Sequence, residues 1–159
     1  MVWRLWGSEI IVAESEQRLG VDHVDVSIVW ERLATDPSAQ LIDVRTLAEW
    51  AFVGVPDLAA IGKQVLLVEW EAFPDKPLDP HFTDQLQSML DVHGAGRDAD
   101  LYFICRSGVR SRAAAQALAT VGYRACHNVA NGFEGPPDNE RHRGRIAGWK
   151  AAGLPWSQG

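Results

Sequence analysis

Seven consecutive residues, Cys105, Arg106, Ser107, Gly108, Val109, Arg110 and Ser111, hold most of the chemistry that this sequence offers. An apolar run, Leu101 to Ile104, precedes them and reads as a buried strand, and the alanine-rich stretch from Ser111 to Val121 follows as a helix closed by Gly122. A thiol in a short turn before a helix meets amides that lack partners and the positive end of the helix dipole, both of which favour an anion. Arg106 and Arg110 add two nearby cations, and Gly108 permits the positive φ that turns successive amides inward. Such surroundings draw a thiol from its ordinary ~8.5 toward the ~3.5–7.5 range, so Cys105 is expected to be ionised at neutral pH and nucleophilic.

The elements that must position this turn follow an α/β rhythm. Ser27 is placed to cap a short helix that Asp36 and Pro37 stop. Gln40 to Val44 reads as a buried parallel strand, and Thr46 caps a helix from Leu47 to Phe52. Val65 to Val68 is a further short apolar run, the proline-rich stretch from Phe73 to Pro80 is a loop, and Phe82, Leu86, Met89 and Leu90 recur at helical spacing until Gly94. Ala125 to Val129 is the last strand expected. Residues 1–22 show no clean periodicity and read as an N-terminal extension, partly disordered or packed as an accessory piece, leaving 23–159 as the domain.

Around that motif the sequence resembles the rhodanese-like sulfurtransferases. Cys105 to Ser111 is similar to their active-site loop. Leu41 to Arg45 followed by Glu49 and Trp50 resembles their Asp-Val-Arg segment with its acidic-aromatic pair. Gly122 and Tyr123, Asn128 and Val129, Gly132 and Phe133, and the tail from Gly148 to Trp156 continue the likeness, which spans about residues 25 to 156. One departure stands out: where many members carry Gly-His-Ile-Pro-Gly-Ala, this chain runs from Phe52 to Ala60 without a histidine.

The resemblance implies an α/β fold with a central parallel sheet flanked by helices on both faces. It also implies a cycle in which Cys105 takes sulfane sulfur from a small anionic donor such as thiosulfate and passes it to a thiol or to cyanide. Carried over residue by residue, Cys105 is the nucleophile, and Arg106, Ser107, Gly108, Val109, Arg110 and Ser111 form the binding loop. No cofactor and no metal is implied.

Two other readings compete. Cysteine phosphatases and arsenate reductases also seat a thiolate at a helix start, but their loop is Cys-x5-Arg, and here the arginine comes one place earlier with Ser111 where theirs would stand. A non-catalytic module that relays persulfide from a partner protein would use the same loop.

Composition narrows the remainder. With 159 residues and 47% hydrophobic content the chain can bury one core unaided. A formal charge of −6 argues against a nucleic-acid partner, although arginines bunch at Arg106 to Arg112 and at Arg141 to Arg145, the latter read as a solvated face. Two cysteines suit free thiols in a reducing compartment better than a disulfide scaffold, and nothing is long and apolar enough to span a bilayer, so a soluble cytoplasmic protein is expected. Cys126, beside His127 but without a second ligand pair, reads as a core cysteine. Asp43 and Arg45 read as an ion pair or cap fixing a turn, and the tryptophans as packing anchors, with Trp70 a candidate for a pocket rim.

Overall fold

The sheet is built from the short apolar runs. In the computed structural model, which describes residues 20–71 and 79–159, β1 (Asp22–Val24), β2 (Gln40–Asp43), β4 (Leu66–Leu67), β5 (Asp100–Ile104) and β6 (Ala125–Val129) form one parallel sheet in the order β1-β6-β5-β2-β4. Parallel strands buried on both faces carry continuous apolar runs, as Leu41–Ile42 and Leu101–Ile104 do. Ile42, Leu101 and Phe103 meet α3 (Phe82–Val92) and α4 (Val109–Thr120), whose buried residues include Leu86, Leu90, Ala114 and Leu118. On the opposite face Leu41, Tyr102 and Ile104 pack with Val29 and Leu33 of α1 (Val26–Thr35) and with the fully buried Trp149.

Several local expectations shift. The first helix begins at Val26, so Asp25 rather than Ser27 occupies the cap position, because that phase buries Val26, Val29 and Leu33 together. The helix after the cysteine starts at Val109 rather than Ser111, with Gly108 in the left-handed region at φ 111° as its cap. Val109 and Arg110 therefore sit in a first helical turn. At the far end Val121 is the cap and Gly122 follows at φ 105°. The strand expected over Val65 to Val68 contracts to Leu66–Leu67. Most of the proline-rich loop, 72–78, and residues 1–19, which make up most of the expected extension, lie outside the described residues.

Thr46 does cap α2 (Leu47–Phe52). Its side chain accepts from the Glu49 amide while the Glu49 carboxylate reaches back to the Thr46 amide, a reciprocal capping box. The segment lacking a histidine contributes β3 (Val55–Pro56), which pairs antiparallel with β7 (Trp156–Ser157) from the tail. Trp149 and Trp30 pack edge to face at 6.0 Å, and Trp70 packs the same way on Phe82 at 4.9 Å. Trp156 is partly exposed. Among the described residues no helix is long and apolar enough to cross a membrane.

Candidate active site

Strand order places the site. From β2 the chain leads outward to β4 at one edge, whereas from β5 it leads the other way to β6, so β2 and β5 flank the point at which the connections diverge. In open parallel sheets the crevice at the carboxyl ends of two such strands is where ligands bind. Here it lies between the turn after β2, with Thr46 and Glu49, and the turn after β5, which begins with Cys105.

Cys105 is 1% exposed, and two donors converge on its sulfur. The Gly108 amide is 3.1 Å from Sγ and the Ser111 hydroxyl is also 3.1 Å away. The left-handed Gly108 aims its own N–H back at the sulfur of the residue three places earlier. A second close approach holds the turn from behind. Phe133 N–H donates to the Cys105 carbonyl at 2.8 Å, and Glu134 and Gly135 amides donate to the Arg106 carbonyl at 3.0 and 3.1 Å. Gly132, at φ 62°, sits so close that a Cβ there would collide with the Cys105 carbonyl.

The other loop residues fall in different places. Ser111 is fully buried beside the sulfur, while Val109 is exposed and Ser107 half-buried. Arg106 is exposed and lines a cleft of about 460 Å³. Arg110 lines the same cleft, but its guanidinium grips Glu49 through two bonds of 2.6 and 2.9 Å. The sequence reading set this cation near the sulfur and named no partner for it; the structure gives it the Glu49 carboxylate. Burial alone would raise the Glu49 carboxyl, but the bonds and charge of Arg110 outweigh it and hold that carboxyl below the usual range.

A carboxyl lowered on folding stabilises the protein above its unfolded value of ~4.3 and loses that contribution as pH falls through the lowered folded value. Glu49→Gln is expected to cost about 1 kcal/mol at neutral pH. Urea midpoints taken from pH 7 to about pH 3 should show the gap to wild type closing only at the acid end. A gap unchanged across that whole range would remove the ion pair from the account.

Three further residues at the cleft escaped the sequence reading: Glu71, Glu134 and Arg143 also line it. Arg143 belongs to the cluster read as a solvated face, and Arg141, His142 and Arg145 are indeed exposed. Arg143 itself is half-buried and donates to the Gly135 carbonyl at 2.7 Å, next to the amide that holds Arg106. Trp70 is not among the lining residues.

Asp43 and Arg45 form a wholly buried ion pair at 2.6 Å, and Arg45 also donates to the Gly54 carbonyl at 2.7 Å. It fixes the turn after β2.

Cys126 is buried among core side chains, and burial pushes its thiol up to about 12. Iodoacetamide at pH ~8 should label the folded chain once, at Cys105, which is no less buried than Cys126 but has the Gly108 and Ser111 donors at its sulfur, and a second time only after unfolding. Intact mass reads the count, and two adducts on folded protein would contradict the burial argument. The neighbouring His127 lies between Asp22 and Asp100, its two ring nitrogens 2.6 and 2.7 Å from their carboxylates.

The similarities to known proteins give this parallel sheet, with its cysteine turn leading into a helix at the divergence point, a rhodanese-like, sulfurtransferase-type fold. Residues 21–159 match the family described as STR4 middle domain, and the chain belongs to that family. The RC0915 protein of Rickettsia conorii is 33% identical over 140 residues, covering 87% of this chain and 98% of its own. A protein of Allochromatium vinosum named sulfurtransferase is 26% identical over 135 residues, 85% of this chain and 94% of its own. The rhodanese-like domain-containing protein 4 of Arabidopsis thaliana chloroplasts is 26% identical over 127 residues, 80% of this chain and 24% of its own. Among solved structures, Rv0390 from M. tuberculosis superposes with a TM-score of 0.76 at 41% identity, covering 88% of this chain and all of that one. The polysulfide-sulfur transferase homodimer of Wolinella succinogenes shares the fold, with a TM-score of 0.55 at 17% identity over 98% of this chain and 89% of that one.

Proposed function

We propose that this protein is a sulfurtransferase that carries sulfane sulfur as a persulfide on Cys105. The observation that carries the reading is the convergence of the Gly108 amide and the Ser111 hydroxyl on one sulfur at 3.1 Å each. Donors aimed at a sulfur stabilise charge on it, which both halves of the cycle need. Relatives named sulfurtransferase and rhodanese-like add weight to it.

With thiosulfate as donor, the Cys105 thiolate attacks the outer sulfane sulfur. A bond forms between Sγ and that sulfur, the bond to the sulfonate group breaks, and sulfite leaves with the electron pair. The acceptor, cyanide or a thiolate, then attacks the outer sulfur of the persulfide. The Sγ–S bond breaks and its electron pair returns to Cys105 as the thiolate, releasing thiocyanate or an acceptor persulfide. Neither half needs an oxidant, a metal or a cofactor for its electrons to balance. Outside the Arg110–Glu49 pair, Arg106 and Arg143 are the cations of the cleft that an anionic donor would meet, with Glu71 and Glu134 as the carboxylates beside them. Arg110 acts from within its Glu49 pair, as a rigid wall of the cleft rather than a free cation.

Intact-protein mass after exposure to thiosulfate tests the proposal. The expected result is one added sulfur that cyanide removes, and none in Cys105→Ser. A wild-type chain that stays unmodified with thiosulfate and with other sulfane donors overturns it.

A further inference from the structure

Both donors to the Cys105 sulfur lead back to one residue outside the loop. Asn128 lies on β6, paired with Phe103 of β5, and is 2% exposed. Its side-chain nitrogen donates to the Gly108 carbonyl at 2.9 Å and lies 3.0 Å from His23 Nδ1 on the edge strand β1. Its side-chain oxygen is 2.6 Å from the Ser111 hydroxyl. With two acceptors on the nitrogen side, His23 in its Nε2–H tautomer being one, only this orientation of the amide satisfies every partner. Gly108 supplies the amide donor to the sulfur, and Ser111 supplies the hydroxyl.

Ser111 has one hydroxyl proton and two acceptors, the sulfur and the Asn128 oxygen. While Cys105 is a thiol, its own proton can rest on Ser111 Oγ and the serine proton on Asn128. When the sulfur is charged, the serine proton turns to it. One hydroxyl serves both states only because Asn128 accepts its proton in the first.

We infer that Asn128 is the positioning residue of this site: a single side-chain amide, tied through His23 to β1, fixes the Gly108 donor by its carbonyl and holds the Ser111 proton until the Cys105 sulfur is charged. This rests on Cys105 being the reactive sulfur of the proposed function. Asn128 makes no hydrogen bond to the sulfur and acts through Gly108 and Ser111.

The test is the rate of Cys105 alkylation by iodoacetamide as a function of pH. Asn128→Leu has nearly the same shape but can neither accept nor donate. Through Gly108 it should lower the rate at pH ~7 and move the profile to higher pH, and the serine proton it frees for the sulfur offsets part of that, so a change of roughly threefold is expected. Asn128→Asp keeps the acceptor for Ser111, loses the donor to Gly108 and adds a negative charge, so it should move the profile the same way; it provides the readout if the leucine variant does not fold. In a Ser111→Ala background the Asn128→Leu effect should grow, because the loss of the Gly108 contact then acts without the freed serine proton that offsets it. A folded variant, judged by circular dichroism, that keeps the wild-type profile overturns the inference. So does an Asn128→Leu effect that is smaller in Ser111→Ala than in the wild-type background. Alkylation needs no sulfur donor, so a chain that never accepts sulfur yet shows this dependence would sink the proposed function and leave Asn128 in place.

Discussion

Thiosulfate should load one sulfur onto the wild-type chain in a single turnover, and loading of Cys105→Ser should fall by on the order of 10³-fold or more, to background. The size follows from what the substitution removes. A serine hydroxyl at this position would keep the donors from Gly108 and Ser111 but could neither ionise near neutral pH nor form a bond to sulfur that an acceptor can cleave. Nothing nearby substitutes for it. Ser111 is a hydroxyl as well, and Cys126 has its thiol pushed up to about 12 by burial. Stopped samples read by intact mass, with cyanide added to half of each, separate the bound sulfur from any other adduct. Sulfur appearing at equal yield in Cys105→Ser would move the chemistry to a different residue.

The largest expected effect on stability lies at the turn after β2. Asp43 and Arg45 are both wholly buried, joined by Nη2 to Oδ2 at 2.6 Å and Nε to Oδ1 at 2.9 Å, with the guanidinium 4.2 Å above the centre of the Phe133 ring. Asp43→Asn leaves a buried cation without its counter-charge and should cost ~3–5 kcal/mol, a large share of the ~5–15 kcal/mol that keeps a domain folded. At this chain length that lowers Tm by on the order of 10 °C. Replacing both, as Asp43→Leu with Arg45→Met, should recover much of the loss, because a buried ion pair replaced whole by apolar groups is often close to neutral. Thermal and urea unfolding of the wild type and the two variants measure this. An Asp43→Asn chain within ~0.5 kcal/mol of wild type would mean that the buried charge finds compensation elsewhere.

Phe133 links this pair to the reactive turn. Its ring lies under Arg45 and its amide holds the Cys105 carbonyl. The turn after β2 and the turn after β5 are thereby braced against one another, with the cleft between them. Loosening Asp43 should therefore slow sulfur loading even in the fraction of chains that stays folded.

What the amino-acid sequence determined by itself is local. The apolar runs at Leu41–Ile42 and Leu101–Ile104, the Thr46–Glu49 capping box and the cysteine turn with its left-handed Gly108 all depend on residues within a few places of one another. Short-range propensity and hydrogen bonding decide such features, so spacing alone reveals them. What the tertiary structure decided is which side chains meet. Glu49 takes Arg110 from across 61 residues, Asn128 reaches Ser111 and His23, and Arg143 comes from the tail to the cleft. The Glu49–Arg110 meeting depends on β5 lying beside β2 and the Asn128–His23 meeting on β1 lying beside β6, an order that no local pattern encodes. The two-residue strands β3 and β7 are too short to show a period, and β1 exists only because β6 offers it an edge. Even the helix starts moved for a tertiary reason. Burying Val26 with Val29 and Leu33 outweighed a serine cap, and the helix expected from Ser111 begins two residues earlier, with the Ser111 hydroxyl buried at the sulfur.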